Sequence, residues 1–281
     1  MVSFLDRLRE IQDKHQTRVC VGLDPDLDKL PSLKGSIRER LIRFASDIVE
    51  QTASYACCYK PNLAFWQSCE AEPELAKIVN FIQSEVCLPV ILDGKWGDIG
   101  NTAKKYAEAA FGRFGADAVT LNAYLGTDTL GPWLEWGPTK GLYILSHTSN
   151  KGAAKFQEDC TSISGKPLFV YLAHEVAALQ ANESARIGFV MGATFPGQIE
   201  LLGLDNPIWR PLEIPLLIPG IGVQEGELLE TVRCAKPYPF VVNSSRGIIH
   251  ASREADFAKV AGDRTRELRD QINEALEQVV T

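Results

Sequence analysis

Val90-Ile91-Leu92-Asp93-Gly94-Lys95-Trp96-Gly97-Asp98-Ile99-Gly100-Asn101-Thr102 is an apolar run that ends in alternating charge and then opens a helix. Along a strand successive side chains face opposite ways, so Asp93 and Lys95 share one face while Gly94 points away from it. Asp98 follows in the turn. Two carboxylates bracketing one ammonium at a strand's C-terminal end are costly to desolvate unless they pair, and catalytic sites use such arrangements to set pKa values. The stretch reads as a strand, a helix start and a candidate active site.

The same unit recurs in both directions along the chain. Upstream, Ser3 to Gln16 carries Phe4, Leu5, Leu8 and Ile11 at helical spacing with Ser3 as N-cap, and Val19 to Asp24 is an apolar strand stopped by Pro25. Ser36 to Gln51 is an amphipathic helix, and Ala56 to Asn62 is strand two. A helix from Pro73 to Ser84 precedes strand three, Leu88 to Lys95; the helix from Asn101 to Phe114 precedes strand four, Ala118 to Tyr124. Strands five to eight are Gly141–His147, Ile187–Ala193, Pro215–Gly220 and Pro239–Ser245, with helices over Leu168–Ala181 and Asp256–Val279. Eight near-continuous apolar strands alternating with helices predict a (β/α)8 TIM barrel with an extra N-terminal helix, in one domain over residues 1–281. A doubly wound open sheet is the competing architecture, but Leu23-Asp24-Pro25-Asp26 stands where its glycine-rich turn would follow strand one. The long stretch Ser149 to Lys166 carries Gly152 and Gly165 and reads as a lid or binding loop, or as a plain surface insertion.

Bulk properties exclude several classes. The 281-residue chain is 45% hydrophobic, enough for a substantial core, and its net charge of −7 argues against a nucleic-acid partner. No apolar stretch approaches the ~20 residues of a membrane span, and the first residues lack a signal peptide's basic-then-apolar order. A cytoplasmic protein with reduced thiols is expected. The seven cysteines and four histidines show no metal-ligand spacing, and Cys20 and Cys57 read as small core residues.

In a barrel of this kind the chemistry lies at the C-terminal strand ends. A single charge there is commonly just the solvated boundary of a buried segment. Here strand one ends in Asp24, strand two in Lys60 and strand three in Asp93 and Lys95, so charged groups converge from three neighbouring strands. Across the ring, Pro219-Gly220-Ile221-Gly222-Val223-Gln224 and Ser244-Ser245-Arg246-Gly247 supply glycines for close backbone approach, an amide and a forked cation. Strands seven and eight form this fold's usual phosphate corner. The expected ligand therefore has a phosphate at one end and a polar reacting centre at the other.

These residues resemble the orotidine 5'-phosphate decarboxylase family, particularly its longer bacterial branch. The resemblance spans nearly the whole chain and rests on Gly22-Leu23-Asp24-Pro25, Tyr59-Lys60-Pro61-Asn62, the Asp93 to Thr102 signature, Thr120 to Gly126, Thr148-Ser149-Asn150, Pro219 to Gly222 and Arg246-Gly247. Trp96 stands where that branch usually carries arginine. The resemblance implies a homodimeric enzyme of pyrimidine nucleotide biosynthesis that converts orotidine 5'-monophosphate to uridine 5'-monophosphate and carbon dioxide, without metal or organic cofactor. It further implies that Lys95 donates a proton to pyrimidine C6, with Asp93 near the substrate carboxylate. Asp98, reaching in from the partner subunit with Ile99 and Thr102, would complete an array with Lys60 and Lys95. Asp24, Lys60 and the partner's Thr102 would hold the ribose, and Ser149 the pyrimidine. Pro219, Gly222, Gln224 and Arg246 would bind toward the phosphate end.

Two alternatives use the same residues. A magnesium-dependent phosphosugar decarboxylase or aldolase shares the Asp-x-Lys-x-x-Asp spacing, but it wants another acid where strand two offers Lys60, whose charge repels a metal ion. A non-catalytic phosphonucleotide-binding barrel is the other alternative, although every charged position of the constellation is present.

Overall fold

The structure is a computed structural model that describes residues 2–180, 186–203, 210–220 and 225–279. Among these residues eight parallel strands form one sheet: β1 (Val19–Gly22), β2 (Cys58–Lys60), β3 (Ile91–Trp96), β4 (Ala118–Leu121), β5 (Gly141–His147), β6 (Arg186–Met191), β7 (Leu216–Pro219) and β8 (Phe240–Ser244). Their order is β2-β1-β8-β7-β6-β5-β4-β3. The remaining seam is stitched by isolated bridges from Tyr59 to Val90 and from Asn62 to Asp93. Pro61 has no N–H to give, so the ladder runs one way there: its carbonyl accepts from the Asp93 N–H at 2.9 Å. The sheet thus closes as the expected (β/α)8 barrel. Proline also explains why strand two is shorter than the apolar run Ala56 to Asn62 suggests.

The helices are α1 (Phe4–His15), α2 (Ile37–Thr52), α3 (Leu63–Gln67), α4 (Glu72–Phe81), α5 (Gly100–Ala107), α6 (Gly131–Leu134), α7 (Ala154–Gln157), α8 (Leu168–Gln180), α9 (Gly197–Leu201), α10 (Glu225–Ala235), α11 (Arg246–Ile249) and α12 (Phe257–Gln278). Ser36 and Glu39 close a reciprocal capping box at the start of α2, whose Leu41, Phe44, Ile48 and Val49 are buried. The short helices at the strand ends, and α10, go beyond what the sequence periodicity assigns.

The extra helix α1 closes one end of the barrel. Its Ser3 cap accepts from the Asp6 N–H at 3.1 Å. Phe4 fills the space over Gly141, where a Cβ would lie 2.5 Å from its ring; Arg7 pairs with Asp117 at 2.5 Å, and Gln12 donates to the Phe240 carbonyl at 2.9 Å. These partners mark the starts of β4, β5 and β8, so α1 covers the amino end and leaves the carboxyl end for ligand. The Tyr59 hydroxyl meets Thr52 at 2.7 Å and the Val49 carbonyl at 3.0 Å, both on α2. Tyr59 therefore points outward, and alternation turns Cys58 and Lys60 into the barrel.

Cys20, Cys57 and Cys58 are fully buried, and burial pushes the Cys58 thiol well up from its ordinary pKa. Among the described residues no helix is long and apolar enough to cross a membrane. The stretch Ser149 to Lys166 is less irregular than its composition suggests. It contains α7 and an antiparallel bridge from Thr161 to Pro167, and it folds back on the end of β5. Gln157 accepts from the Thr148 N–H at 2.9 Å, and Glu158 meets the buried His147 ring at 2.7 Å.

Candidate active site

Lys60, brought inward by the alternation of β2, reaches Asp93 Oδ2 at 2.6 Å; both side chains are only 5% exposed. Lys95 reaches the other oxygen, Oδ1, at 2.7 Å from the rim, where its side chain is 48% exposed. The Thr120 hydroxyl on β4 donates to the same Oδ1 at 2.6 Å. One carboxylate thus accepts from two ammonium groups and a hydroxyl, which satisfies its lone pairs at a depth where an unpaired charge is costly.

The electrostatics follow from that packing. Burial, the largest single influence on Asp93, opposes ionisation, but Lys60 and Lys95 with their hydrogen bonds outweigh it and hold the carboxyl well below the usual carboxylate range. Burial likewise favours neutral Lys60, yet Asp93 and Asp24 outweigh it and raise its pKa. Asp24 is itself anchored, accepting from the Asn62 N–H at 3.1 Å. Asp93 thus lies between Lys60 and Lys95, and Asp24 is close enough to act on Lys60.

The backbone around Lys95 is unusual. Lys95 has φ of +46°, a left-handed conformation that non-glycine residues rarely hold. Between Leu92 and Trp96 the β3 to β4 register slips, so that three β3 residues oppose Thr120 alone. Gly94 is required at the centre of this bulge, since a Cβ there would lie 2.5 Å from the Trp96 indole. Trp96 ends β3 and packs beside Trp133 and Tyr106, with ring centroids at 5.5 and 6.3 Å.

A cavity of about 900 Å³ opens at the carboxyl end of the barrel, and Asp24, Lys60, Asp93, Ser149, Pro219 and Arg246 all line it. Arg246 forms no ion pair among the described residues, which leaves its guanidinium available to an anion. Gly22 makes this corner possible: it lies beside Lys60 in register, and a Cβ on it would fall 1.7 Å from the Ser245 hydroxyl. Lys95, which reaches Asp93 from the rim, does not join the lining, and neither do Asp98, Ile99 and Thr102. Asp98 accepts from the Ile99 N–H at 2.8 Å, and Ile99 is 60% exposed. Gly222 and Gln224 lie outside the described residues.

Thr120, Asn62 and Asn243 are site residues that the reading of charged strand ends passes over. Thr120 is an uncharged member of an apolar strand and looks like ordinary strand composition. Asn243 lines the cavity and donates to the Cys20 carbonyl at 3.0 Å; a polar residue directly after the Phe240 to Val242 run is its only local signal. Among the described residues no three His, Cys, Asp or Glu side chains are grouped to hold a metal ion.

Comparison with known proteins adds an independent line. The profile of the Orotidine 5'-phosphate decarboxylase / HUMPS family matches residues 17–260. The chain is 39% identical over 279 residues to an orotidine 5'-phosphate decarboxylase of Janthinobacterium sp. (strain Marseille), covering 97% of this chain and 98% of that one. An orotidine 5'-phosphate decarboxylase of Cupriavidus metallidurans is 39% identical over 280 residues, with the same coverage. Among solved structures, the OMP decarboxylase of Leishmania donovani superposes with a TM-score of 0.77 at 30% identity, covering 98% of this chain and 99% of that one.

Proposed function

The chain belongs to the Orotidine 5'-phosphate decarboxylase / HUMPS family, and from that membership we propose a cofactor-free decarboxylation of orotidine 5'-monophosphate to uridine 5'-monophosphate, with Lys95 as proton donor. The observation that carries this reading is the Asp93 carboxylate held between Lys60 at 2.6 Å and Lys95 at 2.7 Å at the mouth of the cavity. As the bond from C6 to the carboxylate breaks, its electron pair remains on C6 and carbon dioxide leaves. The Lys95 ammonium beside C6 stabilises that developing charge more than it stabilises the ground state, and then delivers its proton to the carbon. Asp93, ionised and unable to retreat, lies against the departing carboxylate and is relieved of it as the bond opens.

The binding residues follow the same axis. Asp24 and Lys60 hold the ribose hydroxyls, Ser149 contacts the pyrimidine, and Pro219, Gly222, Gln224 and Arg246 lie toward the phosphate. Enzymes supply roughly 8–23 kcal/mol of transition-state stabilisation, more than one ion pair can give. Binding energy from the phosphate end is therefore used to organise the reacting end. Lys60 also counts against the magnesium-dependent alternative, because its ammonium takes Asp93 Oδ2, where a cation would need an anionic ligand.

The enzyme acts as a cytoplasmic homodimer of single-domain barrels, in which Asp98, Ile99 and Thr102 of each chain complete the partner's site. The exposure of Ile99 supports that arrangement. Mixing Lys95→Ala with Asp98→Ala chains tests both roles at once. Each homodimer is inactive, and the mixture recovers activity through the one site with both residues intact. A mixture as inactive as its parents, with heterodimers shown to form, refutes the shared site.

A further inference from the structure

We propose that Thr120 is the positioning residue that aims Lys95: its hydroxyl locks the left-handed turn of the β3 bulge and the Asp93 carboxylate into one closed ring. The proposal rests on the decarboxylase reading and deepens it. The Lys95 N–H, displaced from the ladder by the register slip, donates to Thr120 Oγ1 at 3.0 Å. The same hydroxyl donates its hydrogen to Asp93 Oδ1 at 2.6 Å, and Lys95 Nζ returns to that oxygen at 2.7 Å. The backbone of Lys95 is therefore tied directly to Thr120 on the neighbouring strand, and its ammonium is tied to the same hydroxyl through Asp93 on β3.

Each link is needed because of what surrounds it. A non-glycine residue at φ of +46° holds a strained conformation, so it persists only where contacts over-determine it. Thr120 is 1% exposed, so water does not stand in for its hydroxyl. Its neighbours Val119 and Leu121 pair with Leu92 and Trp96, which fixes the backbone of Thr120 on both sides of the bulge. Without the hydroxyl, the Lys95 backbone loses the bond that holds its left-handed turn, and its ammonium is no longer held at a fixed place against Asp93 Oδ1. Nothing in this touches the phosphate corner, so the effect falls on turnover rather than on nucleotide binding.

The test uses the purified full-length enzyme, with orotidine 5'-monophosphate for turnover and uridine 5'-monophosphate as the binding probe. Thr120→Val keeps the shape and removes both hydrogen bonds; its kcat falls about 10- to 100-fold, the range expected for losing a hydrogen bond to a charged group. Uridine 5'-monophosphate affinity changes less than about threefold, and Thr120→Ser restores kcat to within about threefold of the unmutated enzyme. If Thr120→Val does not fold, Thr120→Ala removes the same hydroxyl with a smaller side chain. The proposal is overturned if the deletion variant keeps full kcat, if Thr120→Ser is as impaired as the deletion, or if nucleotide affinity falls in step with kcat. An unmutated enzyme that leaves orotidine 5'-monophosphate untouched overturns the decarboxylase reading instead.

Discussion

Replacing Asp93 by asparagine removes one charge from the most tightly coupled part of the molecule. The carboxylate accepts from Lys60 at 2.6 Å, from Lys95 at 2.7 Å and from Thr120 at 2.6 Å, and an amide in its place turns an N–H₂ toward at least one of these donors. Lys95 is half exposed and finds water, but Lys60 is 5% exposed and keeps only Asp24 as a neighbouring acid. Breaking a buried ion pair from one side costs about 3–5 kcal/mol, and the remaining acid together with loss of the Lys60 proton brings the expectation to about 3 kcal/mol. For a chain of this size that lowers Tm by about 6–10 °C.

The pH dependence carries a definite sign. In the unmutated protein Lys60 titrates above its ordinary 10.5 and Asp93 below its ordinary 3.8, so the pair's contribution is constant between those values. It is lost as pH falls through the folded pKa of Asp93 or rises through that of Lys60. In Asp93→Asn, burial dominates and Lys60 titrates below its unfolded value. Stability then rises with pH between the two, because the unfolded chain holds a proton that the folded one has released. Denaturation at about pH 7 and about pH 10 should show the deficit shrinking toward alkaline pH. No deficit at neutral pH, or one that does not shrink, refutes the buried pair as the source of stability.

Arg246→Ala should weaken uridine 5'-monophosphate binding by about 10- to 100-fold in calorimetry, as expected for losing charge-assisted hydrogen bonds, with a smaller change in kcat at saturation. A kcat loss at unchanged affinity contradicts its place in the phosphate clamp. Gly22→Ala places a Cβ 1.7 Å from the Ser245 hydroxyl and 3.1 Å from its Cα, so Ser245 and the adjoining Arg246 must shift. Both Tm and nucleotide affinity should fall, by about 1–3 kcal/mol in stability, and unchanged affinity shows that the phosphate corner does not depend on this contact.

The strands were legible in the sequence because a closed barrel buries both their faces, so each reads as a near-continuous apolar run. The charged strand ends were legible for the complementary reason: Asp24, Lys60 and Asp93 interrupt those runs where nothing in the core needs a charge. Thr120 enters the sequence reading only as the first residue of the Thr120 to Gly126 motif, because its contacts depend on the register slip opposite it, a tertiary event that leaves no mark in local composition. The inward direction of Lys60 follows by alternation from Tyr59, whose hydroxyl bonds to α2, a tertiary contact that the local sequence does not show. Likewise α3, α7 and α11 are four or five residues long, too short for a helical period to emerge from sequence. Gly222 and Gln224, expected at the phosphate end, lie outside the described residues.

The most direct test of the account is the spectrophotometric disappearance of orotidine 5'-monophosphate with the purified enzyme, in the presence and absence of a metal chelator, beside Lys95→Ala. Turnover should be equal with and without chelator, with uridine 5'-monophosphate as product, and Lys95→Ala should show no measurable turnover although it still binds that product. Strict magnesium dependence, or substantial turnover by Lys95→Ala, would contradict the account.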